Sequence, residues 1–193
     1  MTAVVIAGGQ SRRMRTDKAF IEIGGKRLIE RVLDVIMPLF SQVLINSNKP
    51  EYYQEWGIPV IQDLVKDKGA LGGIYTGLIQ ASTDYVFCVA CDMPSLNRDL
   101  ICYMIEQVKG FDALVPKTPD GFHPLHAVYA KRCIPFIEEL FRNNMLKVSA
   151  LFAKVSTCYL TADQISLFDP TFESFLNVNT REDLVAARKK YNQ

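Results

Sequence analysis

Residues 85–94 read YVFCVACDMP. From Tyr85 to Cys91 the run is apolar without alternation, which predicts a strand covered on both faces. Strands of that kind build parallel sheets flanked by helices. Asp92 closes the run, and Pro94, with no N–H to give, stops the ladder. The strand thus ends by presenting a carboxylate at its carboxyl edge, where open α/β sheets bind ligands.

The rest of the chain repeats the same alternation of apolar strands and amphipathic helices. AVVIA (3–7) predicts the first strand. A helix follows in KRLIERVLDVIMPLF (26–40), where Leu28, Val32, Val35, Ile36 and Leu39 share a face, and QVLIN (42–46) predicts the next strand. After VIQD (60–63), LVKDKGALGG (64–73) reads as a loop and a helix is expected from about Ile74 to Ala81. Beyond Pro94 a helix is expected around 97–108, then a strand in DALVP (112–116), with HPLHAVYA (123–130) continuing the alternation and helices around 134–141 and 148–152. FLNVNT (175–180) reads as a strand end running into the helix REDLVAARKKY, with Thr180 as N-cap, Glu182 and Asp183 in the first turn and Arg188 to Lys190 in the last. The expected fold is a doubly wound, mostly parallel sheet with helices on both faces, a Rossmann-like arrangement. No repeat, low-complexity tract or linker divides the chain, so residues 1–193 are expected to form a single domain.

Composition narrows the function classes. With 193 residues, 49% of them hydrophobic, the chain can bury a sizeable core, and a net charge of +1 gives no reason to expect a nucleic-acid surface. No apolar run approaches the roughly 20 residues that span a bilayer. The start lacks the marks of a signal peptide, and a cytoplasmic protein without a membrane partner is expected. The five cysteines are an odd number without paired metal-finger spacing, which predicts reduced, packed thiols. Cys88 and Cys91 have C-x-x-C spacing, but inside a strand neighbouring side chains alternate faces and no helix N-terminus lowers a thiol pKa.

Four groups fall at the carboxyl edge of the expected sheet: the loop after the first strand, Asn46, Asp63 and Asp92. The loop, GGQSRRMRTDK (8–18), lacks G-x-x-x-x-G-K-[ST] and has no third glycine to complete G-x-G-x-x-G. Gly8 and Gly9 let backbone amides approach an anion closely. Arg12, Arg13, Arg15 and Lys18 supply the forked guanidiniums and the ammonium that a triphosphate requires. A solvated basic loop is the alternative. Asp92 suits a magnesium ion bound to substrate phosphates, because Mg2+ takes hard oxygen ligands and usually only one or two from protein. The alternative for Asp92 is a helix cap or turn former. His123 and His126 flank Pro124 and are expected to be packed or hydrogen-bonded rather than metal ligands.

The motifs IAGGQSRRMRTDKA, GALGGI, CDMP, HPLHAVY and NVNTREDL occur in an order and rough spacing that resembles the molybdenum cofactor guanylyltransferases, over nearly the whole chain. The resemblance implies a nucleotidyltransferase fold and an enzyme that moves GMP from GTP to the phosphate of molybdenum-bound molybdopterin, releasing pyrophosphate and using Mg2+. It implies that Ile6, Ala7 and Gly8 line the guanine and phosphate site and that Lys18, Asn46 and Asp63 contact the nucleotide. Asp92 would hold both nucleotide and metal. Asn177 and Asn179, which share a side if FLNVNT ends a strand, are implied near the pterin acceptor, with turn or cap chemistry as the alternative. The expected catalytic set is Arg12, Arg13, Lys18 and Asp92.

Related cytidylyltransferases tend to carry alanine-alanine-glycine where this chain has Ala7-Gly8-Gly9, which favours guanine. The family's usual glycine after methionine is Arg15 here, and its usual GPLAG is Gly69-Ala70-Leu71-Gly72-Gly73. Losing the proline predicts a less ordered second loop, available to cover the base. Expected partners are GTP and molybdenum-molybdopterin, with transient contact to cofactor-delivering proteins or molybdoenzymes. A relative using CTP or a sugar-phosphate acceptor, and a catalytically silent GTP-binding protein, are the alternatives. Intact Lys18 and Asp92 argue against silence.

Overall fold

Side chains along the strands point alternately to two apolar layers, as the two-residue period of a strand requires. Ala3, Val5, Phe87, Val89 and Val128 face one layer, and Val4, Ile6, Val86, Cys88 and Ala127 face the other. The computed structural model describes residues 1–7 and 18–191. Gly8, Gly9, Arg12, Arg13 and Arg15 lie outside the described residues.

The chain begins with β1 (Thr2–Ile6), a hairpin of β2 (Glu22–Ile23) and β3 (Lys26–Arg27), α1 (Leu28–Ile36), β4 (Gln42–Asn46) and β5 (Val60–Ile61). It continues through α2 (Gly69–Gln80), β6 (Tyr85–Ala90), α3 (Arg98–Gln107), β7 (Ala113–Thr118), β8 (Gly121–Phe122) and β9 (His126–Ala130). It ends with α4 (Ile134–Arg142), α5 (Ser149–Phe152), β10 (Thr157–Leu160), α6 (Ala162–Ser166) and α7 (Arg181–Tyr191). The main sheet has eight strands in the order β10-β7-β9-β6-β1-β4-β5, with β8 beside β7. β1 pairs in parallel with β4 and β6, β4 with β5, and β7 with β10. β9 is antiparallel to both β6 and β7. Thr118 and His126 are too close in sequence for the crossover of about a dozen residues that parallel pairing needs.

Helices cover both faces, giving the doubly wound, mostly parallel arrangement. Ile29, Val32, Leu33 and Ile36 of α1 and Leu100, Ile101 and Met104 of α3 join the first layer. Leu71, Ile74 and Leu78 of α2, with Ile137 and Leu140 of α4, join the second. α3 starts where Asn97 accepts from the Leu100 amide through its side chain at 2.9 Å, an N-cap that satisfies one of the helix's free donors.

Two expectations are corrected. GALGG is not a loop: α2 starts at Gly69, and these glycines are its first residues. A Cβ at Gly73 would come within 2.7 Å of Asn46 Oδ1, and one at Gly77 within 3.0 Å of Val4 Cγ2. The glycines let the helix axis approach β1 and β4 closely, so their purpose is contact rather than flexibility. Gly69, at φ +55°, turns the chain into the helix, a conformation that L side chains rarely adopt.

FLNVNT is not a strand end either. Phe175 closes a 3-10 turn (Glu173–Phe175), and the segment after it hangs on the sheet through the Val178 amide, which donates to the Asp92 carbonyl at 2.9 Å. Thr180 does cap α7, its hydroxyl accepting from the Asp183 amide at 3.1 Å. The Asp183 carboxylate in turn accepts from the amides of Asn179 and Thr180 at 2.9 and 2.8 Å. No helix among the described residues is long and apolar enough to cross a membrane.

Candidate active site

Strand register brings four chain segments to one edge. Ile6 lies opposite Asn46 on one side and Ala90 on the other, and Asn46 lies opposite Ile61. Ala7, Asn46, Asp63 and Asp92 therefore sit on or just beyond neighbouring strand ends, in the spatial order Asp92, Ala7, Asn46, Asp63. The buried Ile6 and Ala7 form the floor. The Ala7 amide donates to the Asn46 carbonyl at 2.9 Å, and the fully buried Tyr53 places its hydroxyl 3.5 Å from the Ala7 carbonyl.

At one end of this edge, Lys18 Nζ donates to Asp92 Oδ2 at 3.3 Å and to Asn179 Oδ1 at 2.5 Å. The Lys18 and Asp92 side chains are 20% and 15% exposed. Burial raises the Asp92 carboxyl above its ordinary pKa, and the Lys18 ammonium pulls partly in the opposite direction. The carboxylate is thus poorly solvated and in need of a cation. A single hard-oxygen ligand of this kind matches the usual protein contribution to a magnesium site, which is completed by substrate phosphates and water. Among the described residues there is no group of three or more His, Cys, Asp or Glu side chains that could hold a metal unaided.

At the other end, Asp63 is held by two amides. Asn46 Nδ2 donates to Asp63 Oδ1 at 3.0 Å, and Asn48 Nδ2 donates to Asp63 Oδ2 at 2.8 Å. The Asp63 amide returns a bond to Asn48 Oδ1 at 3.0 Å. Asn46 is buried, and Gly73 approaches its side chain so closely that a Cβ there would come within 2.7 Å of Asn46 Oδ1. Sequence reasoning missed Asn48. Its signal was the spacing N-S-N, since Asn side chains just past a strand end readily bind nearby backbone.

Asn177 and Asn179 do not act as a matched pair. Asn179 reaches Lys18, whereas Asn177 lines a separate cavity of about 460 Å³ with Pro94, Ser95, Val178, Lys190 and Tyr191. That cavity adjoins the loop following Asp92. The histidines are packed. His123 bonds Thr118 Oγ1 at 2.7 Å. His126 is fully buried between Phe87 and Phe175, with Nδ1 3.3 Å from the Ser174 carbonyl. A carbonyl only accepts, so Nδ1 carries the proton and Nε2 is a bare acceptor, without a hydrogen-bond partner among the described residues. Cys88 and Cys91 belong to opposite layers, and burial pushes the Cys88 thiol far up.

Residues 3–158 match the family described as "MobA-like NTP transferase domain". A protein of Pelotomaculum thermopropionicum named a probable molybdenum cofactor guanylyltransferase is 38% identical over 97% of this chain and 91% of its own. The molybdenum cofactor guanylyltransferase of Syntrophotalea carbinolica is 35% identical over 98% of this chain and 91% of its own. Among solved structures, the molybdopterin-guanine dinucleotide biosynthesis protein A of Archaeoglobus fulgidus superposes with a TM-score of 0.86 at 27% identity, covering 100% of this chain and 99% of that one.

Proposed function

The chain belongs to the molybdenum cofactor guanylyltransferase family, and we propose that Asp92 and Lys18 form the centre at which it transfers GMP from GTP to the phosphate of molybdenum-bound molybdopterin. The observation that carries this assignment of the centre is the Lys18–Asp92 pair at the carboxyl edge of the sheet. The products are the molybdopterin guanine dinucleotide cofactor and pyrophosphate.

The acceptor phosphate is already anionic, so it can attack the α-phosphorus in line without a strong general base, and the protein's task is alignment and charge neutralisation. No histidine is needed, which agrees with the packed positions of His123 and His126. Lys18, on leaving Asp92, meets the phosphates as a point charge. Arg12 and Arg13 are proposed to neutralise the pyrophosphate as it leaves, with the amides of Gly8 and Gly9 approaching the phosphates. Magnesium, held by Asp92 and the nucleotide, would supply neutralisation of the phosphate oxygens. Ile6, Ala7, Asn46 and Asp63 contact the rest of the nucleotide, and Asn177 and Asn179 lie toward the acceptor. Residues 1–193 act as a single domain in this reading, in the cytoplasm, with delivering proteins or molybdoenzymes as transient partners.

The test is to incubate the pure protein with molybdenum-loaded molybdopterin, Mg2+ and each of the four nucleoside triphosphates, then identify the nucleotide released from the product by hydrolysis. GMP is expected. CMP, or transfer only to a sugar phosphate, would move the chain to a neighbouring activity. GTP binding without transfer would make it a silent binder.

A further inference from the structure

We infer that His123 binds the phosphate of the acceptor, donating to it through Nδ1 while Thr118 and Phe175 hold the ring. The identity of that acceptor rests on the proposed transfer reaction, whose site this assignment extends.

The carboxyl edge of the sheet does not end at Asp92. On one side of β6 lie β1, β4 and β5, with Ala7, Asn46 and Asp63 at their ends. On the other side lie β9 and β7. Because β9 is antiparallel to both β6 and β7, it begins at the edge where those two end. Thr118, the last residue of β7, and His123, just ahead of β9, therefore stand there. Val89 pairs with His126, and the Ala90 amide donates to the Leu125 carbonyl at 3.0 Å. From that bond, two residues forward along one chain and two back along the other bring Asp92 and His123 to adjoining strand ends. In-line transfer sets the attacking and leaving oxygens on opposite sides of the α-phosphorus. In the proposed reaction the nucleotide takes the first side of Asp92, so the acceptor phosphate arrives over the second.

The imidazole is held before any ligand arrives. Its Nε2 lies 2.7 Å from Oγ1 of the buried Thr118, and its ring centroid lies 4.4 Å from that of Phe175. The His123 amide donates to the Pro116 carbonyl at 3.0 Å. Phe175 leads into the segment whose Val178 amide bonds the Asp92 carbonyl, so the ring is set against the same centre that holds the Lys18–Asp92 pair. His123 is half-buried, and Nδ1 has no hydrogen-bond partner among the described residues yet is not among the buried, unpaired atoms. One nitrogen is thus anchored and the other is open, and little side-chain freedom remains to be lost on binding.

The partner of Nε2 lets the open nitrogen be a donor. A threonine hydroxyl can either give or accept, so when Thr118 donates to Nε2 the ring proton sits on Nδ1. An anion at Nδ1 selects that tautomer. Burial lowers the His123 pKa, with Asp120 opposing, which keeps the imidazole neutral at neutral pH. A neutral donor orients a phosphate without withdrawing its charge as a cation would, and the attacking oxygen stays nucleophilic.

The experiment measures equilibrium binding of molybdopterin, and of its dephosphorylated form, to the full chain without GTP. The variants are His123→Asn, whose amide nitrogen falls near the place of Nδ1, His123→Gln, whose amide nitrogen falls near that of Nε2, and His123→Phe, which keeps only the ring contact. The wild type should bind molybdopterin about 10- to 100-fold more tightly than the dephosphorylated form, the range for a hydrogen bond to a charged group. His123→Gln and His123→Phe should lose most of that ratio, and His123→Asn should retain most of it. GTP affinity, measured separately, should be unchanged in all three.

Equal wild-type binding of the two forms overturns the inference, as does failure to bind molybdopterin at all. A ratio kept by Gln and lost by Asn also overturns it, because the bond to Thr118 would then be what matters. A loss of GTP affinity in place of the ratio would assign His123 to the nucleotide. Transfer is scored apart from binding. A protein that shows the phosphate-dependent ratio through His123 but moves no GMP keeps the acceptor contact and loses the proposed reaction. Transfer of GMP by His123→Gln at the wild-type KM for the acceptor does the reverse.

Discussion

Lys18 Nζ lies 3.3 Å from Asp92 Oδ2, although the two residues are 74 positions apart, Lys18 opening a 3-10 turn (Lys18–Phe20) and Asp92 following β6. Burial raises the Asp92 carboxyl above its ordinary pKa, and the Lys18 ammonium offsets part of that rise. In the proposed reaction the same two groups separate, one toward phosphate and the other toward the metal.

Removing either partner should therefore have distinct effects. Asp92→Ala is expected to fold and to lose turnover on the order of a thousandfold or more, since a phosphate site deprived of its metal carboxylate forfeits several kcal/mol of transition-state stabilisation. Lys18→Ala should weaken GTP binding or slow transfer while leaving the choice of base unchanged, because a lysine meets phosphate as a point charge. Steady-state kinetics with GTP and CTP, alongside circular dichroism of each variant, check both outcomes. Wild-type turnover in Asp92→Ala would remove Asp92 from the mechanism.

His126 makes stability depend on pH. Burial, opposed by its bond to the Ser174 carbonyl and by nearby Asp169, holds its pKa down to about 3. The unfolded chain titrates near 6.5, so between those values it binds more protons than the folded one. This contribution to stability is present above about pH 6.5 and is lost as pH falls toward 3, by about 2 kcal/mol between neutrality and pH 5. Urea unfolding at the two pH values should show that loss in the wild type and a smaller one in His126→Gln. Equal pH dependence in both proteins would place the titration elsewhere.

Tyr191 ties the end of α7 to the loop that follows Asp92. Its hydroxyl lies 2.6 Å from Ser95 Oγ and donates to the Pro94 carbonyl at 3.1 Å. The helix has no buried residue of its own, so these bonds matter more than usual to its placement. Tyr191→Phe should cost about 1 kcal/mol, the net worth of a hydrogen bond, measurable as a shift in the urea midpoint at unchanged slope.

Elements with a long or strongly periodic pattern were legible before the structure. QVLIN is β4 residue for residue, and Leu28, Val32 and Ile36 are buried on the face of α1 that periodicity assigned to the core. Short elements were not: β8 and β10 hold too few residues to show a period, and α6 is a single capped turn and a little more. The pairing of β9 depends on connection length, which a scan for apolar runs does not weigh. At the site, strand ends located Asn46, Asp63 and Asp92, but partnerships across the fold left no local trace. Asn48 matters through Asp63, 15 residues on, and Asn179 through Lys18, 161 residues away.

The glycines of α2 were the costliest misreading, and they provide the sharpest stability test. In an ordinary exposed helix, glycine to alanine gains up to about 1 kcal/mol, because glycine loses more backbone freedom on folding. At Gly73 the new methyl would sit 2.7 Å from Asn46 Oδ1 and 3.0 Å from Ile6 Cδ1. Neither neighbour is the free end of a flexible chain: Asn46 is buried and bonded to Asp63, and Ile6 is buried at the end of β1. Overpacking of this kind costs about 1–3 kcal/mol, so the sign reverses and Gly73→Ala should lower the unfolding free energy. Because the displaced group is the amide that holds Asp63, the same substitution should weaken GTP binding. Gly77→Ala, whose methyl would come within 3.0 Å of Val4 Cγ2, should destabilise without weakening GTP binding. Unfolding and nucleotide displacement measured on both variants separate the two effects. If Gly73→Ala is as stable as the wild type, or if Gly77→Ala weakens GTP binding as much, then close approach of α2 to Asn46 is not what sets the nucleotide edge.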